Sequence, residues 1–355
     1  MTGLTGRELW PVAYAGREVR PSDFRLVDVD VPAPAPGEVL VRNTWTSVDA
    51  ALRLRLRAAA PPGYFPAFAL GKPMDGVMSV GEVIESRAEG FGPGDTVWHA
   101  SGWRDYAVVD PRRPALNGMG TLRNLDVDVA PPQAYLGALG ANGLTAYAGL
   151  FHVADLRAGD VVWVSAAAGA VGSLVAQMAK ICGHRVIGSA GSDEKVRFLL
   201  EDLRLDGAFN YRSGPVHELL REAAPDGIDV YFDNVGGDHL EAALGALRRS
   251  GRVAICGMIS QYAVEDPPPG PHNLFLAVAN DLMVRGFRGS SYTGLLPEML
   301  DRVGAWVRDG RLRYRETIFD GLSQAPEALA TLLRGGNTGK TLVRVDSMPN
   351  DGNRS

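Results

Sequence analysis

The sequence predicts an α/β protein in which a doubly wound parallel sheet is joined to a second, partly open β-barrel domain. Three observations predict it. From about residue 133, strand-like and helix-like runs alternate, the order that builds a parallel sheet with helices on both faces. Before that point, short β-type runs are broken by Pro and Gly, as in small barrels and sandwiches. At 166–172 the run AAAGAVG separates the first strand of the alternating series from its first helix.

The early strands are expected at 39–45 (VLVRNTW), 77–86 (VMSVGEVIES), 95–100 (DTVWHA) and 104–110 (RDYAVVD), punctuated by PAPAPGE, APPG and FGPGD. The alternating series begins with VVWVS at 161–165, an apolar, β-branched run suited to a strand buried on both faces. A helix follows to Gly183, then RVIGSA (185–190). The next helix has Ser192 as its N-cap and Asp193 and Glu194 in its first turn. Val196, Leu199, Leu200 and Leu203 fall on one helical face. Further strands are expected at 207–211, 228–235, 252–258 and 283–290, with helical stretches at 216–224 and 238–249. The final TLVRVDS run has no helix partner and is expected to return to the first domain. The organisation expected is therefore a barrel-type domain over 1–132 and 307–355 and a parallel-sheet domain over 133–306.

Composition removes several function classes. The 355 residues are 46% hydrophobic and 22% charged, near the globular average. A net charge of −5 advertises neither nucleic acid nor an anionic membrane. No apolar run approaches the ~20 residues that span a bilayer, and MTGLTGRELW lacks the form of a signal peptide, so a cytoplasmic protein is expected. Cys182 and Cys256 stand far apart, which leaves no disulfide framework or cysteine-rich zinc site.

Read in the G-x-G-x-x-G frame, AAAGAVG has Ala167, Gly169 and Gly172 at the glycine positions. Gly169 would admit a phosphate to the backbone, and Gly172 would let helix and strand pack closely. By motif alone, a simple packing turn is an equal alternative; the strand before it and the helix after it favour a dinucleotide. An NAD site places a carboxylate at the end of the second strand, about 20 residues on. Here that stretch is IGSAGS, followed by Asp193-Glu194-Lys195. Lys195, with Tyr211-Arg212 ending the third strand nearby, therefore points to the 2′-phosphate of NADP(H); the alternative for Lys195 is a solvated surface lysine. Before residue 150 there is no Cys and one His, His99, expected at a strand end or the surface. Without metal ligands, hydride transfer to a conjugated C=C is easier to support than carbonyl chemistry, since hydroxyl donors can hold the enolate oxygen.

These motifs carry a resemblance. SVDAALRLRL (47–56), LGKPMDG, GDTVWHASGWRDYAV, GLTAYAGL, VSAAAGAVGS, AGSDEK, FNYR, YFDNVGG, CGMISQY, GFRGS and GGNTGKTLV occur in an order that resembles the zinc-free medium-chain dehydrogenase/reductase superfamily. Within it the chain is similar to the leukotriene B4 12-hydroxydehydrogenase/prostaglandin reductase family of NADPH-dependent double-bond reductases. The resemblance implies a Rossmann domain plus a GroES-like barrel. It assigns Gly169, Ala170, Val171 and Gly172 to the pyrophosphate and Lys195 and Tyr211 to the 2′-phosphate. Asn234, Cys256, Gly257, Ser260 and Tyr262 would flank the ribose and nicotinamide, with Phe287 and Asn337 closing the site. Tyr262 is the implied enolate-supporting hydroxyl. Tyr64 matches a second substrate-side tyrosine, with an aromatic filling the interdomain cleft as an equal alternative.

The chain also departs from the family pattern. Where D-P-Y-M-R-x-R-M is usual, it reads Asp49-Ala50-Ala51-Leu52-Arg53-Leu54-Arg55-Leu56, so the substrate-facing Tyr is Ala51 and the pocket is wider. Ala141-Asn142-Gly143 replaces Met-Pro-Gly, and Arg288-Gly289 replaces two apolar residues beyond Phe287. The activity expected is NADPH-dependent reduction of the C=C bond of small α,β-unsaturated ketones or aldehydes, with hydride to the β-carbon and a proton to the α-carbon. An enoyl-thioester reductase and a non-redox protein on the same NADP-binding scaffold are the alternatives. Pocket shape depends on loops 60–70, 260–272 and 286–295. A homodimer paired through the strand at 283–290 is the assembly the family suggests.

Overall fold

A computed structural model describes residues 3–264 and 269–345. The 265–268 part of the 260–272 loop and the final Asp-Ser of TLVRVDS lie outside the described residues. The chain forms two compact units. One contains Met1–Leu136, Glu316–Asn337 and the chain from Thr341; the other contains Gly137–Arg315 and Thr338–Lys340. The divisions thus fall after Leu136 and Arg315, beyond the 132/133 and 306/307 boundaries expected. Residues 132–136 form a tight turn with Ala134, Tyr135 and Leu136 buried. Arg313 is tied to the second unit because its amide and carbonyl both bond the Gln177 side chain, at 2.8 and 2.7 Å.

The first unit opens with β1 (Thr5–Pro11) and β2 (Phe24–Asp30), an antiparallel ribbon that the composition of FRLVDVD had concealed. β3 (Val39–Val48) is its centre, followed by the single turn α1 (Leu52–Arg55), β4 (Ser79–Ser86), β5 (Thr96–His99), β6 (Tyr106–Val109) and β7 (Arg123–Asn124). β3 pairs antiparallel with β4 and β6. Val39, Val41, Val83 and Val97 alternate inward and are fully buried.

The second unit starts with α2 (Ala141–Tyr147) and then runs β8 (Val161–Val164), α3 (Gly172–Ile181), β9 (Arg185–Ala190), α4 (Asp193–Arg197), β10 (Gly207–Asn210), α5 (Val216–Ala223), β11 (Ile228–Asp233), α6 (Gly237–Ala246), β12 (Leu247–Ile255), α7 (Leu276–Ala279), β13 (Met283–Gly286) and α8 (Leu296–Arg308). The sheet order is β10-β9-β8-β11-β12-β13, all parallel. This is the doubly wound order whose direction of winding reverses between β8 and β11, leaving a crevice at their carboxyl ends. Val162, Trp163, Val164, Tyr231 and Phe232 are fully buried, as a sheet covered on both faces requires.

Two expected extents are corrected. The helix expected at 238–249 stops at Ala246, because Leu247 turns to extended backbone and pairs with Ile228; the strand begins there rather than at 252. The strand expected over 283–290 ends at Gly286, after which Gly289 packs against Thr145 too closely for any Cβ. All four residues of β13 are exposed at the sheet edge. The chain then returns to the first unit as β14 (Glu316–Asp320), α9 (Ala325–Leu333) and β15 (Lys340–Arg344), with β15 antiparallel to β3. Among the described residues no helix is long and apolar enough to cross a membrane.

Candidate active site

The glycine turn lies at the carboxyl end of β8. Ala166 takes a left-handed φ of +47°, which costs an L-residue about 1–2 kcal/mol. The turn then closes through the Gly169 amide on Ala166 O at 2.9 Å. A Cβ on Gly172 would stand 2.9 Å from Ala167 Cα and closer still to the Ala166 carbonyl, so glycine is what lets α3 start against the strand. A Cβ on Gly169 would stand 3.1 Å from the same carbonyl. The amides of Ala170, Val171 and Gly172 have no backbone acceptor among the described residues. Open amides at a helix start, over a glycine cradle, fit a pyrophosphate.

One contributor was hidden in the sequence because it is distant along the chain. Gly339 forms a parallel bridge with Gly169 and donates to Ala168 O at 2.7 Å. Its φ is +71°, and a Cβ would collide with the Arg315 carbonyl.

At the end of β9, Ser192 caps α4, its hydroxyl accepting from the Lys195 amide at 3.3 Å. Burial lowers the Lys195 pKa, and the neighbouring Arg212 cation lowers it further. Lys195 and Arg212 thus stand close together past the end of β9, with Glu194 also acting on Lys195; a pair of cations is the kind of group that fits a dianion. The Tyr211 ring lies on Gly191, where a Cβ would stand 3.0 Å from the hydroxyl.

The crevice itself is pinned by Asp233, which the sequence reading left without a role. Its Oδ1 accepts from the Tyr231 hydroxyl (2.7 Å) and the Val235 and Gly236 amides (2.9 and 2.8 Å). Its carbonyl accepts from the Cys256 and Gly257 amides, at 2.8 and 3.1 Å. Burial raises its pKa despite those donors. Ser165, also unassigned from sequence, receives the Asn234 amide on its hydroxyl (2.9 Å) and the Asn234 side-chain amide on its carbonyl (2.8 Å). The Asp233 carboxylate, the Asp233 carbonyl and Ser165 together thus tie the ends of β8, β11 and β12.

Burial pushes the Cys256 thiol up to about 12, so it is a neutral packing group rather than a nucleophile. Exposed Ser260 donates to Val235 O at 2.6 Å. The Tyr262 hydroxyl reaches back over Gly257. Phe287 stands edge-on to Phe232 and Tyr292, with centroids 6.0 and 6.1 Å away, and Arg288 beside it is half-buried.

Comparison with known proteins fits this geometry. Residues 14–115 match the N-terminal domain of oxidoreductase, and residues 170–305 match the zinc-binding dehydrogenase model. The NADP-dependent 2-alkenal reductase of Nicotiana tabacum is 40% identical over 91% of this chain and 93% of its own length. Prostaglandin reductase 1 of Rattus norvegicus is 38% identical, over 91% of this chain and 94% of its own. The crystal structure of CurA from Vibrio vulnificus in complex with NADPH superposes with a TM-score of 0.88 at 32% identity, covering 96% of this chain and 99% of that one. The chain belongs to the prostaglandin reductase family of medium-chain dehydrogenase/reductases.

Gly169 to Gly172, Lys195, Tyr211, Asn234, Cys256, Gly257, Ser260, Tyr262, Phe287 and Arg288 of this family member all lie in its parallel-sheet unit. Ala51, Tyr64 and Asn337 lie in the other. Ala51 is half-buried and opens α1. Tyr64 packs edge-on to Phe65 in a loop held by Arg55, which donates to the carbonyls of Pro66, Asp75 and Gly76. Asn337 is buried.

His99 is at a strand end, as expected, but fully buried rather than at the surface. The Ser101 amide donates to its Nδ1 (3.1 Å), so Nε2 carries the hydrogen and donates to Asn43 Oδ1 (2.8 Å). Among the described residues no group of three His, Cys, Asp or Glu could hold a metal ion.

Proposed function

We propose that this protein is an NADPH-dependent reductase of the C=C bond of α,β-unsaturated ketones or aldehydes, delivering hydride to the β-carbon while the α-carbon gains a proton. One observation carries the reading: the carboxyl ends of the parallel strands carry an open glycine turn after β8, the cations Lys195 and Arg212 after β9 and β10, and the Tyr262 hydroxyl beside Gly257 after β12. The names of the tobacco and rat relatives support the same class.

When bound, NADPH supplies the hydride. The chain's part is to hold and orient it. Gly169, Ala170, Val171 and Gly172 receive the pyrophosphate, and Lys195 and Tyr211 the 2′-phosphate. Asn234, Cys256, Gly257 and Ser260 border the ribose and nicotinamide, with Phe287 and Asn337 beside them. Tyr262 donates to the substrate oxygen on which negative charge collects, the kind of support that strengthens as the enolate forms. Ala51, Tyr64 and Arg288 meet the rest of the substrate.

The reading needs no metal, so activity is expected to survive chelation and elemental analysis to find no stoichiometric zinc. It also takes the protein to be cytoplasmic and homodimeric. The dimer is supported by the unpaired β13 edge and by Leu274, Phe275, Val278 and Val284, all exposed near it; sedimentation of a monomer at micromolar concentration would reject it. The test of function is NADPH oxidation against short and long enones, enals, enoyl-thioesters and saturated ketones. Turnover of enones or enals supports the reading. Oxidation with thioesters alone, or with none of the panel, overturns it.

A further inference from the structure

Tyr211 is contacted by two elements. Its hydroxyl and ring lie against Gly191, where a Cβ would stand 3.0–3.2 Å from three of its atoms. His239 of α6 meets the ring edge-on, with centroids 5.1 Å apart at 74°. His239 itself lies parallel to Trp163 (5.8 Å, 13°), and Trp163 stacks on Tyr231 (4.3 Å, 22°). Tyr231, Trp163, His239 and Tyr211 therefore form a ladder from the centre of the sheet to the residue after β10. Its first two members are fully buried on neighbouring strands, so its base cannot shift.

An imidazole is an unexpected rung. His239 is 4% exposed, and its Nε2 has no hydrogen-bond partner, which costs more than an apolar residue would. Burial lowers its pKa to about 4, so it is neutral at physiological pH and adds no charge beside Tyr211. What it contributes is a flat ring of the size that meets Tyr211 edge-on.

We infer that His239 is a positioning residue for cofactor selectivity, its ring holding the Tyr211 hydroxyl against Gly191, where Lys195 and Tyr211 read the 2′-phosphate. The inference rests on the assignment of those two residues to the 2′-phosphate. Without the ring, Tyr211 gains rotational freedom and its hydroxyl is no longer preorganised. Only the cofactor with a 2′-phosphate loses by this; NADH does not engage the hydroxyl.

The experiment compares kcat/KM for NADPH and NADH in His239→Ala, His239→Phe and Gly191→Ala, with Lys195→Ala as the control. His239→Ala should lower the NADPH:NADH ratio about three- to tenfold, the scale of one lost aromatic pair. His239→Phe keeps a ring and should restore most of the ratio. Gly191→Ala presses directly on the Tyr211 hydroxyl and ring, so it should also lower the ratio, and it serves if His239→Ala does not fold. A lower melting temperature with an unchanged ratio in His239→Ala, or in Gly191→Ala alone, would reduce His239 to a packing residue and overturn the inference. A ratio that falls in Lys195→Ala but not in the other variants overturns it while sparing the 2′-phosphate assignment. An unmoved ratio in Lys195→Ala removes that assignment, and the inference falls with it.

Discussion

The Tyr262 hydroxyl lies over Gly257 so closely that a Cβ on residue 257 would stand 2.8 Å from it. Both ends of the relationship are fixed by backbone. The Gly257 amide bonds Asp233 O at 3.1 Å, the Ile259 amide bonds Asn234 O at 3.2 Å, and the Tyr262 amide bonds Ile259 O at 3.3 Å. The Tyr262 backbone is thus anchored to the same loop ends that Asp233 ties together. If the hydroxyl donates to the substrate oxygen as proposed, it is already near its place when charge develops, which is where electrostatic catalysis gains its size.

Tyr262→Phe should keep the ring and lose the donor. Its kcat should fall about ten- to a thousandfold, at the lower end because an enone is already activated, with NADPH affinity changed much less. Gly257→Ala should lower kcat by displacing the hydroxyl. The double variant should be no worse than Tyr262→Phe alone, because both act through one group. Near-normal kcat with raised KM in Tyr262→Phe would show that the hydroxyl only positions substrate.

Lys195→Ala should weaken NADPH binding far more than NADH binding. A charge-assisted hydrogen bond to a phosphate contributes roughly 1.5–3 kcal/mol, or about ten- to a hundredfold in affinity. Equal loss for both cofactors, measured by titration, would make Lys195 an ordinary surface lysine.

Local signals were legible in the sequence and long-range ones were not. VVWVS, RVIGSA and IDVYFD showed their strands because burial on both faces leaves continuous apolar runs. The glycine turn was legible because Gly169 and Gly172 sit at fixed offsets between a strand and a helix. Gly339 was not, since its role depends on a backbone approach across 170 residues of chain. Asp233 sat inside a motif already noticed. Its function, however, comes from accepting amides of the loop after its own strand, which alternation of apolar residues cannot reveal. β1 and β2 were missed because a two-stranded ribbon that buries little carries no strong pattern; β2 keeps only Phe24 buried. His99 ends its strand as expected, but its burial was not legible because a single His carries no signal of it, and its partners Asn43 and Ser101 satisfy the ring in the interior.

Ala51→Tyr restores the bulk that the family pattern has at this position. If residue 51 faces substrate, kcat/KM for bulky enones should fall while short enals are largely spared. Equal loss for both sizes in steady-state assays would place residue 51 away from the pocket.

Gly339→Ala should destabilise the protein more than an ordinary loop substitution. The left-handed φ of +71° alone costs an alanine about 1–2 kcal/mol. Contact with the Arg315 carbonyl then forces the 338–340 segment away from Gly169. A lowered melting temperature together with weaker NADPH binding is expected. A lowered melting temperature with unchanged NADPH affinity would show that the segment braces the fold but not the phosphate turn.

Acid should destabilise the protein partly through His99. Burial first, and the Arg104 cation second, lower its pKa from 6.5 to about 3. The folded state therefore excludes a proton that the unfolded chain accepts once the pH drops below about 6.5. Stability is fully present above that value and is lost as pH falls toward about 3, at about 1.4 kcal/mol per pH unit from this one group. His239, lowered to about 4, acts in the same direction. The check is urea unfolding at about pH 7 and pH 5 for the wild type and His99→Gln. The variant should be less stable at neutral pH, because Asn43 and Ser101 lose their partner geometry. Its further loss between the two pH values should be smaller than the wild type's by about 2 kcal/mol. An identical loss in both proteins would mean that His99 takes up its proton without unfolding, and that the Asn43–His99–Ser101 bonds do not hold the imidazole neutral.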